Sequence, residues 1–232
     1  MMKRIFMLMA LALMLVAAMA LSGVAQAASP SAKCQQAATS LGITGSYKYV
    51  AGSDRKNDNF NSKATEGVAE VFCGFGGNDE IGTLAEGDIF IGGSGDDSVY
   101  DGNYGTFIGG AGNDDVWDNT LTGTFNGEVG NDTVTFNYGT FNGGVGADAV
   151  ESNRGTFNGG TDNDSVYVNL AIGTFNGGDG ADSVATNEDG ATFNGGAGDD
   201  QVFNNYGTFN GGDGNDSVYG NSGTLVDVEV GP

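Results

Sequence analysis

The sequence contains no histidine, and its two cysteines, Cys34 and Cys73, lie far apart. Histidine is the usual general base near neutral pH, and zinc or copper sites need imidazole or thiolate ligands. No pair of carboxylates stands apart from a repeated pattern, so no residue qualifies as a catalytic nucleophile or base. We therefore predict that the protein is not an enzyme, and that any metal it binds is held by oxygen.

Basic residues are also scarce. From Val71 onward, Arg154 is the single basic residue, against 26 aspartates and glutamates. Nucleic acid and anionic membranes are attracted by positive surfaces, so this charge balance argues against both as partners. It suits a protein that binds cations, or one with a strongly solvated surface.

Long apolar runs are restricted to the N-terminus. Lys3 and Arg4 precede an apolar run over residues 5–21, and the small-residue stretch Ala25-Gln26-Ala27 follows it. This pattern predicts a signal peptide over residues 1–27, hence an extracellular protein with no membrane contact after cleavage. Loss of Lys3 and Arg4 would take the net charge from -22 to -24. An uncleaved membrane anchor is the alternative, since the run is nearly long enough to span a bilayer.

Residues 28–70 carry no repeat and are predicted to form an N-terminal cap. A short helix is expected from Ser31 to Leu41, starting at a serine cap. In an exported chain, Cys34 and Cys73 are expected to form a disulfide, with two free thiols as the alternative.

The rest of the chain is dominated by a ten-residue segment that recurs nine times. Each copy starts at a phenylalanine, continues through a glycine-rich loop and ends at a second apolar residue nine positions on. Successive copies start 16 to 18 residues apart, and all added residues fall in the segment that returns to the next phenylalanine. The apolar pairs are Phe72/Ile81, Phe90/Val99, Phe107/Val116, Phe125/Val134, Phe141/Val150, Phe157/Val166, Phe175/Val184, Phe193/Val202 and Phe209/Val218.

This periodicity predicts an all-β fold. Alternation places Phe or Val on one face of a short strand and Thr, Asn or Ser on the other. Two apolar residues per copy cannot form a core alone, but stacked coils would pool them. We predict a right-handed parallel β-roll or β-solenoid over residues 71–232, with two short strands per coil of 16–18 residues. The asparagines that precede the glycine pairs, such as Asn142, would be turn formers or an in-register amide ladder.

The glycine loops resemble the calcium-binding nonapeptide of the repeats-in-toxin (RTX) family, G-G-x-G-x-D-x-U-x. The copy that runs from Gly109 through Asp114 to Val116 matches every fixed position. The chain departs from the family by carrying one nonapeptide per coil, where the family has two in tandem, and by its apparent signal peptide. The resemblance implies calcium ions between successive loops, in a single row along one edge of the solenoid.

The candidate metal ligands are the aspartates seven positions after each phenylalanine and the first glycines of the loops. Stacked carboxylates about 4.8 Å apart would repel by roughly 3.5 kcal/mol per pair at an effective dielectric of about 20, so they call for a cation. Oxygen ligands favour calcium, and nine loops leave room for up to eight ions. Alternatively, Gly-Asn-Asp is simply a good turn sequence. The predicted residues are Asp79, Asp97, Asp114, Asp132, Asp148, Asp164, Asp182, Asp200 and Asp216, with Gly92, Gly109, Gly143, Gly159, Gly177, Gly195 and Gly211.

The sequence thus predicts a secreted calcium-binding β-solenoid that serves as a structural or adhesive extracellular module. The alternative is an ice-binding protein, because a column of Thr-x-Asn rungs is similar to the ice-binding face of several β-solenoid antifreeze proteins. This face leaves room for a surface, glycan, protein or ice partner. Aromatic residues that follow the valine, such as Trp117 and Tyr167, are either a stripe for a glycan or protein or β-formers on a sheet surface.

Overall fold

The computed structural model describes residues 28–60 and 68–228. It consists of one short helix, α1 (Pro30–Ser40), followed by two long parallel sheets. The predicted β-solenoid with two short strands per coil is confirmed. The predicted signal peptide, residues 1–27, lies outside the described residues. No helix in the described part of the chain is long and apolar enough to cross a bilayer.

The odd-numbered strands form an 11-stranded sheet and the even-numbered strands form a 10-stranded sheet. The first sheet contains β1 (Lys48–Ala51), β3 (Glu70–Cys73), β5 (Ile89–Ser94), β7 (Thr106–Ala111), β9 (Thr124–Val129), β11 (Thr140–Val145), β13 (Thr156–Thr161), β15 (Thr174–Asp179), β17 (Thr192–Ala197), β19 (Thr208–Asp213) and β21 (Thr224–Val226). The second contains β2 (Asn59–Phe60), β4 (Glu80–Leu84), β6 (Ser98–Asn103), β8 (Asp115–Asn119), β10 (Thr133–Asn137), β12 (Ala149–Asn153), β14 (Ser165–Asn169), β16 (Ser183–Asn187), β18 (Gln201–Asn205) and β20 (Ser217–Asn221).

Successive coils stack in register. In the 11-stranded sheet, Phe141 pairs with Phe125 and with Phe157, and the flanking threonines and asparagines pair likewise. In the 10-stranded sheet, Val134 pairs with Val116 and Val150. A shift by one residue would turn every phenylalanine outward, so the alternating pattern enforces this register. Each residue of the repeat therefore forms a straight column along the solenoid.

The core is a column of phenylalanines that faces a column of valines. From Phe90 to Phe209 the rings are buried and stacked, with centroids 4.7 to 4.9 Å apart and interplanar angles of 4 to 13°. Such near-parallel stacking is less usual than offset or edge-on packing. It follows here from the spacing of neighbouring strands, which sets identical side chains about 4.8 Å apart. The predicted apolar pairs thus form one continuous core.

The parallel ladder begins before residue 71. Strands β1 and β2 pair with β3 and β4 and add one coil, closed by Phe60 and Val50 at the end of the core. Helix α1 begins after Ser29, whose Oγ accepts a hydrogen bond from the N–H of Ala32. Residues 28–47, with α1, thus precede the ladder, whereas β1 and β2 lie within the predicted cap and belong to the ladder.

Helix α1 covers the outer surface of the first strands. Cys34 and Cys73 form the predicted disulfide, and both are buried with Val71 and Ile91. The outward positions beside the core phenylalanine are apolar under this cover, as at Ile91 and Ile108, and become asparagine from Asn126 onward. The Thr-x-Asn face therefore starts where the cover by α1 ends.

Candidate metal centre

The glycine loops follow the odd-numbered strands and stack along one edge of the solenoid. All nine predicted aspartates point inward and are buried, with 0 to 2% of their surface exposed. They form a single column because the segment from Phe to Val has the same length in every coil. Burial of an unpaired carboxylate is costly in free energy, so the hydrogen-bond partners of both carboxylate oxygens matter.

One oxygen of each carboxylate is bound to the backbone. The Oδ1 atom accepts a hydrogen bond from the N–H of the aspartate in the preceding coil, as in Asp132 N–H to Asp148 Oδ1 at 2.7 Å. The same bond recurs from Asp97 to Asp216, with distances of 2.7 to 2.9 Å. Asp79 accepts likewise from Asp58. The column therefore stitches neighbouring coils together at the loop edge.

The second oxygen of these carboxylates has a different environment. In eight coils, from Asp79 to Asp200, the Oδ2 atom is buried and unpartnered in the described part of the chain. It lies against the first glycine of its own loop, and a Cβ atom on Gly143 would stand 2.0 Å from Asp148 Oδ2. Glycine is thus required at this position because the carboxylate occupies the space of a side chain. The same contact occurs at Gly92, Gly109, Gly159, Gly177, Gly195 and Gly211, and at two glycines not predicted, Gly74 and Gly127.

The carboxylates are therefore hard to ionise. Burial raises the pKa of Asp114 and Asp164 to about 8. It raises the pKa of Asp97, Asp148 and Asp200 to about 7. The backbone hydrogen bonds oppose this shift, and neighbouring carboxylates add to it in each of these five. Without a cation, these aspartates therefore bind protons more strongly than an ordinary aspartate does.

The opposite edge of the solenoid has a matching column in which, among the described residues, the one unpartnered buried oxygen is Oδ1 of its first member, Asn103. Buried asparagines end the even-numbered strands from β6 to β18 and form the inner asparagine column. Each Nδ2 donates to the asparagine of the next coil and to the carbonyl of the threonine that begins the odd-numbered strand after it. Asn153 Nδ2 donates to Asn169 Oδ1 at 2.9 Å and to Thr174 O at 3.1 Å. Asn153 and its equivalents were not among the predicted site residues. The sequence pattern that could have identified these asparagines is their fixed position, three residues after the core valine. The residues with this spacing are Asn119, Asn137, Asn153, Asn169, Asn187, Asn205 and Asn221.

The arrangement presents oxygen donors alone. A Cβ atom on Gly127 would stand 2.0 Å from Asp132 Oδ2 and 2.7 Å from the carbonyl oxygen of Gly143, so both oxygens border the space beside this glycine. No three acidic, histidine or cysteine side chains surround a common point in the described residues, so backbone carbonyls would have to supply most ligands. Calcium accepts such mixed sets of carboxylate and carbonyl oxygens. The donor chemistry therefore fits calcium.

Two loops carry an acidic residue where the repeat has glycine. Glu128 and Asp162 adopt left-handed backbone angles, both with φ 79°. A residue with a Cβ pays about 1 kcal/mol there. We expect Glu128→Gly to stabilise the protein by about 0.5–1 kcal/mol in urea unfolding. The control is Gly144→Ala, one coil on with φ 116°, where the added Cβ would meet Glu128 O at 2.4 Å and should destabilise. Equal effects of the two variants would contradict this account.

Comparisons with known proteins give no relative: no family model, no curated protein and no solved structure matches this chain. The likeness to the RTX nonapeptide therefore rests on the residues of the loops themselves.

Proposed function

We propose that this protein is an exported calcium-binding β-solenoid, with ions held at the edge formed by the glycine loops. The observation that carries the proposal is the contrast between its two edges. From Asn119 to Asn205 the buried asparagine oxygens accept hydrogen bonds within their column, whereas the aspartate column leaves one buried acceptor without a partner in each of eight coils, from Asp79 to Asp200, in the described part of the chain. Asparagine at the loop positions could accept the same backbone N–H bond and add a donor. The repeat keeps aspartate at these positions instead, which favours a bound cation beside each buried carboxylate.

A divalent cation relieves the aspartate column better than protons do. Protonation removes the charge but needs a pH below the raised pKa values, about 7 at Asp148. A calcium ion between coils would neutralise two carboxylates at once and accept oxygen ligands from both. The residues that would hold it are Asp148 and its equivalents, with backbone carbonyls of the loops, while the first glycines leave space. Binding would then favour the folded stack over the unfolded chain.

Three features support a structural or adhesive role outside the cell. The sequence pattern of residues 1–27 is that of an export signal. The disulfide between Cys34 and Cys73 is typical of oxidising compartments. The described residues form a rigid ladder with repeated outer faces, and the sequence has no histidine for acid–base chemistry.

The direct test is circular dichroism and calorimetry of residues 28–232 at pH 7.5, with calcium and with a strong chelator. We expect calcium to increase the strand signal and to raise the melting temperature by about 10 °C or more, since saturating ligand adds several kcal/mol to the free energy of unfolding. Magnesium, which demands tighter octahedral geometry, should act more weakly. An unchanged melting temperature and no heat of calcium binding would refute the proposal.

A matched pair of variants locates the ions. Asp148→Asn should stabilise the metal-free protein, because it removes a buried charge, and should lower the number of bound calcium ions. Asp179→Asn removes an exposed carboxylate that lies outside the column, three residues before Asp182. It should leave calcium binding unchanged. Equal loss of calcium from both variants would point to diffuse charge attraction.

Ice binding is the second candidate. Threonines and asparagines of the 11-stranded sheet stand in register from Thr124 and Asn126 onward. The asparagines are locked to one another, as in Asn158 Nδ2 to Asn142 Oδ1 at 2.8 Å. This regular, immobilised face favours a periodic partner. Thermal hysteresis and ice shaping by the folded protein, abolished by Thr156→Tyr and kept by Thr135→Tyr on the other sheet, would support it, and their absence would remove it.

A further inference from the structure

A cavity of about 370 Å³ lies on the edge opposite the aspartate column, at the turn between β8 and β9. Its volume falls within the range of small-molecule sites. The lining is mostly apolar, with one carboxylate. The lining residues are Tyr104, Asp118, Thr120, Leu121, Thr122 and Tyr138.

The cavity arises from one coil whose turn is longer than those on either side. Thr120, Leu121 and Thr122 link Asn119 to Gly123, whereas Tyr138 alone links the next inner asparagine to the next glycine. The longer turn projects, so that Leu121 is 83% exposed. Thr120 Oγ1 and Thr122 Oγ1 pin it by donating to the carbonyls of Asn103 and Tyr104, at 2.8 and 3.0 Å.

Two tyrosines flank the projecting turn, one coil before it and one coil after it. Tyr104 and Tyr138 occupy the position that follows the inner asparagine, and both remain about half exposed, at 45 and 38%. The comparable turn at residues 170–172 is flanked at that position by Arg154 and Glu188. The two flanking tyrosines therefore distinguish this turn from the turn at residues 170–172.

Asp118 gives the cavity its chemistry. Its Oδ1 atom is buried and has no hydrogen-bond partner in the described part of the chain. The nearby hydroxyl hydrogens of Thr120 and Thr122 are already donated to backbone carbonyls. Burial also raises the pKa of Asp118. A ligand in the cavity that places a positive charge beside this carboxylate would offset its uncompensated charge.

We propose that this cavity binds an organic ammonium group, held between the faces of Tyr104 and Tyr138 with Asp118 as its counter-ion. Aromatic faces attract ammonium groups through the ring quadrupole, and alkylated ammonium groups gain in addition from apolar surroundings. The negative charge of the protein, -22 over the whole chain, disfavours an anionic ligand. A neutral ligand would leave the Asp118 carboxylate uncompensated.

The test uses choline against 3,3-dimethyl-1-butanol, its uncharged isostere, on the folded protein in saturating calcium. We expect choline to bind with a dissociation constant of about 1 mM and about tenfold more tightly than the isostere, the ratio that the positive charge contributes at an aromatic site. Fluorescence of Trp117, the single tryptophan and the neighbour of Asp118, reports binding, and calorimetry confirms it.

Variants then separate this site from general attraction to an acidic protein. Asp118→Asn and Tyr138→Ala should each weaken choline binding by about tenfold, through loss of the counter-ion or of one ring. Tyr206→Ala changes the same repeat position outside the cavity and should bind choline like the unmodified protein. Equal binding of choline and its isostere, equal effects of Tyr138→Ala and Tyr206→Ala, or no binding at about 50 mM choline would each overturn the proposal.

Discussion

Metal-free protein should melt at least about 15 °C lower at pH 9 than at pH 4.5, an effect that calcium should largely abolish. The cause is the buried aspartate column, in which the pKa of Asp114 and Asp164 is raised to about 8. A shift of one pKa unit corresponds to about 1.4 kcal/mol, and 1 kcal/mol moves the melting temperature by about 2–4 °C in a chain of this size. Several shifted carboxylates therefore produce a large change.

The sign follows from proton linkage. An unfolded aspartate has a pKa of about 3.9, so near pH 6 the folded protein binds more protons than the unfolded chain does. Stability from these groups is complete below about pH 4 and is lost as pH rises through the folded values of about 6 to 8, including about 6 at Asp132 and Asp182. Most surface aspartates give the opposite trend, since their pKa is usually lowered by folding.

The groups that face each buried carboxylate are themselves acidic. Asp114 is faced by Asp97 and Asp132 from the neighbouring coils and by Asp96 from the loop before it. No lysine or arginine forms an ion pair with the column in the described residues, where the ion pairs join Lys33 to Asp54 and Lys48 to Glu70. Under the proposed function, bound calcium would supply the neutralising charge at high pH.

The measurement is a series of thermal melts from pH 4 to 9, with chelator and with calcium. Asp148→Asn should flatten the metal-free profile, because it removes one group with a pKa of about 7. Asp179→Asn serves as the control and should leave the slope unchanged. A metal-free melting temperature that rises with pH would mean that the carboxylates are stabilised in their charged form, contrary to the structure.

Much of the fold could be predicted from the sequence, because stacking turns a linear period into columns. Phe157 and Val166 recur at fixed positions, and a solenoid places such recurring residues in two buried columns. The first coil could not be predicted in this way. Strands β1 and β2 have no glycine loop between them, and Val50 and Phe60 stand ten residues apart in place of nine.

The candidate site was predictable in its residues and not in its geometry. The period places Asp148 and Gly143 in columns. It does not reveal that the carboxylate points into the solenoid and packs against the glycine, because this depends on the three-dimensional path of the loop. The inner asparagines were missed for a similar reason. Asn153 lies before a glycine in a turn of variable length, which is a common place for an exposed asparagine. Its burial depends on the neighbouring coils, which local sequence does not reveal.

The inner asparagine column should carry a large share of the stability. Asn153 is fully buried, accepts from Asn137 Nδ2 at 2.8 Å, and donates to Asn169 and Thr174. A chain of amides polarises itself, and each member that is removed strands a partner on both sides. The asparagines two residues after the threonine of the Thr-x-Asn face, which include Asn158, form an outer asparagine column with the same amide-to-amide bonds. These bonds are partly buried, so solvent can reach them.

Asn153→Ala should therefore destabilise the calcium-loaded protein by about 3–5 kcal/mol, since it leaves Asn169 Oδ1 and Thr174 O without this donor and opens a cavity. Asn158→Ala, five residues away in sequence and bonded to Asn142 and Asn176, should cost about 1 kcal/mol or less, because water replaces the lost partners. Urea unfolding at pH 7.5 measures both, and an unchanged m-value would show that the folded stack is otherwise intact. If the two variants cost the same, burial of the inner column contributes nothing beyond its hydrogen bonds. In that case the distinction between the two edges, which underlies the proposed calcium site, would lose its energetic basis.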